Sequence, residues 1–174
     1  SGYVGGTFDT AVQRVVDALM SFPLLVLAII VVAVLGASVV NVTIALAVVL
    51  APRCSRVVRA AAMAAKQHQY IEAARAVGAR QGRILFLHVF PNCLAPLIVI
   101  TSVYLGEVII IEASLSFLGL GTPPPEPSWG LMLTGSQQWV EQAPWLAVWP
   151  GMAISLVVFG VNLFGDGLRD ALDP

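Results

Sequence analysis

Charge is what this sequence has little of. Only 11% of its 174 residues are Asp, Glu, Lys or Arg, against about 25% in soluble domains, while 58% are hydrophobic. A soluble fold of this length does not need so much apolar surface, so lipid is the expected solvent. Cysteine is scarce too. Cys54 and Cys93 form neither a disulfide framework nor a metal-ligand spacing, and read as packing residues. His68 and His88 have no partners at ligand spacing, so no metal site is expected. No Gly-rich phosphate loop ending in Lys-Ser or Lys-Thr occurs, so these residues are not expected to bind or hydrolyse ATP. Ser1–Gly6 is neither basic nor followed by a cleavage pattern, and no signal peptide is expected in it.

The few charges present are unevenly placed. Seven of the nine Lys/Arg residues lie between Arg53 and Arg83, with Glu72 the only acid among them; after Arg83 the one base is Arg169. Cytoplasmic loops of membrane proteins are enriched in Lys and Arg, so Arg53–Arg83 is expected to face the cytoplasm. A basic surface for nucleic acid is excluded by the long apolar segments on both sides. In a reducing cytoplasm, disulfides at Cys54 or Cys93 are not expected.

Four spans account for the apolar runs. Between Asp17 and Arg53 lie 35 uncharged residues, and a spanning helix needs about 20. Gly36, Ser38 and Asn41 mark a turn in the middle. One span is expected near Ala18–Leu35, and a second from about Val40 to Ala51. The second continues past Pro52 as a helix through Arg53–Ala65, with Arg53, Arg56 and Arg59 along one face. That stripe fits a solvated face, an anchor to anionic lipid or a protein contact. After a break at Gln67–Tyr70 comes a short helix, Ile71–Val77, ended by Gly78 in a left-handed turn. Ile84–Val89 leads through Pro91 to a third span in Asn92–Leu118. Pro123, Pro124, Pro125 and Pro127 exclude a regular helix from Gly119–Trp129. Trp129, Trp139, Trp145 and Trp149 then suit a membrane interface, and a fourth span is expected at about Leu146–Phe164. Four spans place both ends of the chain on the same side as the basic segment. The two opposite loops, near Gly36 and at about 119–145, contain no Lys or Arg.

The basic segment holds a pattern. Glu72-Ala73-Ala74 is followed by three residues, Gly78, and a gap to Phe90-Pro91. Ala73 and Ala74 let a partner approach the backbone closely. Glu72 sits near a helix start, where the dipole favours a carboxylate by about 0.3–1 kcal/mol. Gly78 turns the chain back towards the next span. The spacing resembles the EAA loop of permeases in importers of the ATP-binding-cassette class, and the interval from Gly78 to Pro91 matches in full. His88 and Phe90 depart from the general aliphatic and Leu positions. His88 and Pro91-Asn92 are similar to the dipeptide, oligopeptide and nickel branch. Glu112–Gly121, Pro127-Ser128-Trp129-Gly130 and Gly165–Pro174 also resemble that branch, so the likeness runs over essentially the whole chain.

The resemblance implies an all-α, polytopic helix bundle of the type I importer kind, a single permease domain over 1–174. Its cytoplasmic coupling segment would be about 66–91 and its outer loop about 119–145. Family members generally have six spans, so two are expected ahead of Ser1, with Gly2–Gly6 similar to the inner end of the second. Ile71, Glu72, Ala73, Ala74, Arg75, Val77 and Gly78 would dock on a separate ATPase. Pro123, Pro124, Pro125, Ser128, Trp129 and Gly130 would receive an external substrate-binding protein. A second permease subunit and two ATPase subunits complete the expected assembly in a bacterial or archaeal inner membrane, with ATP and Mg in the ATPases and no cofactor here. Dipeptide, oligopeptide, nickel and glutathione all remain open as substrates.

Glu107 and Glu112 are acids inside a span, costly in lipid and therefore candidates for function. They fit a pore lining, a site for a cationic substrate group, a proton path, or a hydrogen-bonded structural acid at a helix contact. A proton-coupled secondary transporter using both is the alternative to the ATP-driven importer, and a non-transporting scaffold is a third possibility. Asp166 and Arg169 have the spacing of a helical ion pair.

Overall fold

The structure, a computed structural model, describes residues 1–172, and Asp173-Pro174 of the terminal motif lie outside the described residues. Among these the regular structure is entirely helical: α1 (Gly6–Met20), α2 (Leu24–Leu35), α3 (Val39–Ala65), α4 (Gln69–Ala76), α5 (Gln81–Ile84), a π-helical turn (Leu85–Val89), α6 (Phe90–Phe117), α7 (Trp129–Ser136), a 3-10 turn (Gln137–Trp139) and α8 (Trp145–Leu172). Three runs are long and apolar enough to cross a membrane: α3, the unit Gln81–Phe117, and α8.

The first apolar stretch departs from the expected single helix at Ala18–Leu35. It is split into α1 and α2, which meet at 93°. The break has a local cause: Pro23 adopts an extended conformation at φ −57°, ψ 133°, and lacks the N–H that would continue the ladder. The Ser21 hydroxyl donates to Ala18 O at 2.7 Å and closes the preceding turn. α2 has 12 residues, about 18 Å of helix, short of the roughly 30 Å hydrocarbon layer. The two halves together form a fourth, bent candidate span.

The turn between α2 and α3 falls where Gly36, Ser38 and Asn41 placed it. Gly36 has φ 89°, a conformation that only glycine adopts readily. Ser38 caps α3 by accepting from Asn41 N–H at 3.1 Å. The Asn41 side-chain amide donates to the carbonyls of Leu35 at 2.8 Å and Gly36 at 3.0 Å. The end of α2 and the start of α3 are thereby stitched together by one side chain.

α6 is the central element, packed against α3, α7 and α8. Two apolar cores flank its length. One joins α2, α3 and the C-terminal half of α6 through Val32, Ala45, Val49, Ile111 and Leu115. The other lies at the opposite end, where Ala62 and Ala65 of α3 meet Ile71, Ile84, Val89 and Cys93. α6 crosses α8 through small residues: a Cβ on Gly106 would lie 2.8 Å from Asn162 Oδ1, and one on Gly165 would lie 3.3 Å from Ser102 Oγ. Such residues let helix backbones approach where lipid supplies no hydrophobic drive. The other face of α8 stays apolar and open, with Trp149, Leu156, Phe159 and Leu163 exposed. α8 also runs on to Leu172, past the expected end near Phe164, and among the described residues Arg169 forms no ion pair with Asp166.

Candidate functional site

The region around Glu72 is built from local signals. α4 begins after the turn at Lys66–His68 and ends at Ala76, one residue before the expected limit. Gly78 N–H donates to Arg75 O at 2.9 Å and Ala79 N–H to Ala74 O at 3.0 Å, with Gly78 at φ 81°. This is a Schellman end, which needs a left-handed residue at that position. The same device closes α6 at Gly119 (φ 76°), where Leu120 N–H reaches Leu115 O at 2.9 Å.

The seven residues assigned to docking by resemblance do not all face the same way. Ile71 is fully buried among Ala62, Ala65, Ile84, Val89 and Cys93. It anchors α4 to the bundle and offers no surface to a partner, which corrects its place in the docking set. Ala74 is half-buried beside it. Glu72, Ala73, Arg75, Val77 and Gly78 are exposed, and Val77 is 84% accessible, an extreme value for a valine. The outcome is a short helix held by one apolar pin, with its other sides free.

Polar contacts add to the pin. The Tyr70 ring stacks on His68 at 5.5 Å and lies 6.0 Å from His88. Asn92 donates through its side-chain amide to the Tyr70 hydroxyl at 3.1 Å and to His88 O. The N-terminal segment joins the same end: Lys66 Nζ donates to Tyr3 O at 3.0 Å, and the Tyr3 hydroxyl donates to the Gln81 side chain. The contacts of Tyr70 with His88 and Asn92, and of Tyr3 with Lys66 and Gln81, were not legible from spacing, because they join segments distant in sequence.

The arginine stripe on α3 has a definite role. Arg53 pairs with Glu107 of α6 at 2.8 Å, Arg56 with Asp17 of α1 at 2.6 Å, and Arg59 with Asp9 of α1 at 2.7 Å. Of the three alternatives, protein contact holds for all three, although the partners lie within this chain. Arg59 engages Asp9 through both Nε and Nη2, the fork geometry that makes an arginine–carboxylate pair directional. Glu107 is thus the counterion of Arg53, and the pair ties α3 to α6 within the bundle.

Glu112 behaves differently. It accepts from the Ser116 hydroxyl at 2.6 Å, and its side chain lines an open cleft of about 520 Å³ with Thr122, Glu126, Ser128 and Trp129. Glu126 was not picked out by the sequence pattern, since one acid in a proline-rich loop carries no spacing signal. Pro123, Pro124 and Pro125 are exposed beside the cleft without lining it. Gly130 is buried: a Cβ there would collide with Ala113 O and Ser116. It serves the contact of α7 with α6 and is not an outward surface, a second correction. Ser128 caps α7 by accepting from Leu131 N–H at 3.1 Å.

The chain's likeness to known proteins covers its whole length. The family described as the binding-protein-dependent transport system inner membrane component matches residues 1–174. A dipeptide transport system permease of Alkalihalophilus pseudofirmus is 46% identical over 174 residues, all of this chain and 57% of that protein. A putative peptide transport system permease of Brucella suis is 47% identical over 167 residues, 96% of this chain and 56% of that protein. A glutathione transport system permease of Pectobacterium atrosepticum is 45% identical over 174 residues, 58% of its length. The chain therefore spans a little over half the length of these curated relatives. With a helical bundle of several apolar spans already in place, the match is decisive: the chain belongs to the family of binding-protein-dependent transport system inner membrane components.

Proposed function

We propose that this chain is the transmembrane part of a permease subunit in an ATP-driven importer of peptides or related small solutes, and that α4 is where a separate ATPase docks. The single observation carrying the docking role is the construction of α4. A helix of 8 residues is fixed by one buried side chain, Ile71, and presents Glu72, Ala73, Arg75 and Val77 outward. An exposed valine beside exposed small and charged residues, on an element anchored between α3 and the start of α6, suits a groove on a partner. Closure of the paired ATPases would push α4. The displacement would pass to α3 through Ala62 and Ala65, and to α6 through Ile84, Val89 and Cys93.

The assembly this requires has a second permease subunit, two ATPase subunits and an external substrate-binding protein meeting the outer loop around Ser128 and Trp129. The basic segment and both ends of this chain would then face the cytoplasm of a bacterial or archaeal cell. Peptide and glutathione relatives support a small peptide-like solute. The pairing of Glu107 with Arg53 gives that acid a structural part between α3 and α6, and the match to binding-protein-dependent transport components supports the importer over a proton-driven carrier.

Glu72→Lys and Gly78→Asp in the full-length permease test the docking role. Both are expected to abolish ATP-dependent uptake in vesicles while the protein still inserts. Normal uptake by both variants would overturn it. Uptake that persists without ATPase subunits and is lost in Glu107→Gln would instead establish the proton-driven carrier.

A further inference from the structure

We infer that Tyr70 and Asn92 are positioning residues that make α4 and α6 move as one body, so that force received on α4 reaches the spanning helix. This rests on the docking role proposed above and adds the element that transmits the force. Ile71 alone cannot do so. One buried side chain resists withdrawal of α4 but leaves the short helix free to roll about that point. Tyr70 is its neighbour, about 100° further round the helix, so a contact made there blocks the roll.

The contact is specific to the segment where α6 begins. The Asn92 side-chain nitrogen carries two hydrogens, and both are used: one on the Tyr70 hydroxyl at 3.1 Å, the other on His88 O. His88 lies inside the π-helical turn Leu85–Val89, closed by Phe90 N–H donating to Leu85 O. Pro91 follows immediately and has no N–H to give. Without that donor the usual ladder is interrupted here, and π-helical turns of this kind are frequent at functional sites. Asn92 therefore braces the one irregular turn of the Gln81–Phe117 unit and grips α4 with the same amide. The His88 ring lies tilted against Tyr70, with centroids 6.0 Å apart. If the bridge is cut, α4 can roll while α6 stays still.

A test independent of the transported solute follows movement directly. In the full-length permease assembled with its ATPases, with Cys54 replaced by alanine and the buried Cys93 kept, spin labels are placed at Ala76 on α4 and at Leu105 on α6, both exposed. Spectra are compared without nucleotide and after trapping with ATP and vanadate. In the otherwise unmodified protein the Ala76 label should be immobilised by the ATPase, and the Leu105 label should change on trapping. Asn92→Leu, which keeps the shape but can neither donate nor accept, and Tyr70→Phe, which keeps the ring but removes the hydroxyl, should keep the Ala76 signal. Both should at least halve the change at Leu105. Tyr70 is 44% exposed, so Tyr70→Phe leaves folding intact even where Asn92→Leu does not. A full change at Leu105 in Tyr70→Phe would overturn the bridge. A mobile Ala76 label in the unmodified complex would overturn the docking role and the bridge with it.

Discussion

Arg53 on α3 and Glu107 on α6 form an ion pair at 2.8 Å, each about one-third exposed, beside the Tyr104 ring. Both residues belong to runs that otherwise read as spans, so two costly charges are brought together where each relieves the other. Of the roles that the sequence left open for Glu107, this contact fits the structural acid at a helix contact.

Removing one partner should therefore cost more than removing both. Glu107→Leu or Arg53→Met leaves a charged group without its counterpart, at about 1–3 kcal/mol. The double substitution Arg53→Met/Glu107→Leu should be less destabilising than the sum of the single changes, as for other ion pairs replaced by packed apolar groups. Thermal unfolding of the four proteins in detergent, read as a double-mutant cycle, checks this. Strict additivity would mean that the two charges do not interact.

The glycines predict a graded series. A Cβ on Gly130 collides with the Ala113 carbonyl of α6, on Gly106 it meets the flexible end of Asn162 at 2.8 Å, and on Gly151 it meets nothing within 4 Å. Gly130→Ala should destabilise by about 1–3 kcal/mol, as overpacking does, and displace α7. Gly106→Ala should cost less, because Asn162 can turn away. Gly151→Ala should be neutral or stabilising by up to about 1 kcal/mol, since alanine is the better helix former. Melting temperatures of the three variants in one detergent give the order directly; equal shifts would show that these contacts are not limiting.

Features set within a few residues were legible in the sequence, and features set by partners far along the chain were not. The turn at Gly36 and the left-handed stop at Gly78 depend on local backbone preference, and both stand where expected. The long continuation of α3 past Pro52 also follows from its alanine-rich sequence. The split at Ser21–Pro23 was missed because hydropathy averages over a proline that carries no charge. α8 continues past the expected span through Asp166, Arg169 and Asp170, because a helix can run on through a change of solvent. For the arginine stripe, spacing identified the shared face, but the partners Asp9, Asp17 and Glu107 lie 39 to 54 residues away. The same limit hid Ile71, whose inward direction depends on the packing of four other elements.

Ile71 and Val77 supply the sharpest separation of folding from docking, because the two aliphatic residues on one short stretch have opposite environments: 0% and 84% exposed. Ile71→Ala empties a fully buried site and should cost roughly 2–5 kcal/mol. It should lower the melting temperature of the isolated permease and loosen α4, seen as faster proteolysis at Arg75 or Arg80. Val77→Ser removes nothing from the core and should leave melting within about 0.5 kcal/mol of the parent, as surface changes do. Its effect should fall on the complex: less ATPase retained when the permease is purified from membranes, and uptake reduced in proportion. Were Val77→Ser to retain the full ATPase complement, the exposed end of α4 would not be part of the contact, and docking would have to be carried by Glu72, Ala73 and Arg75 alone.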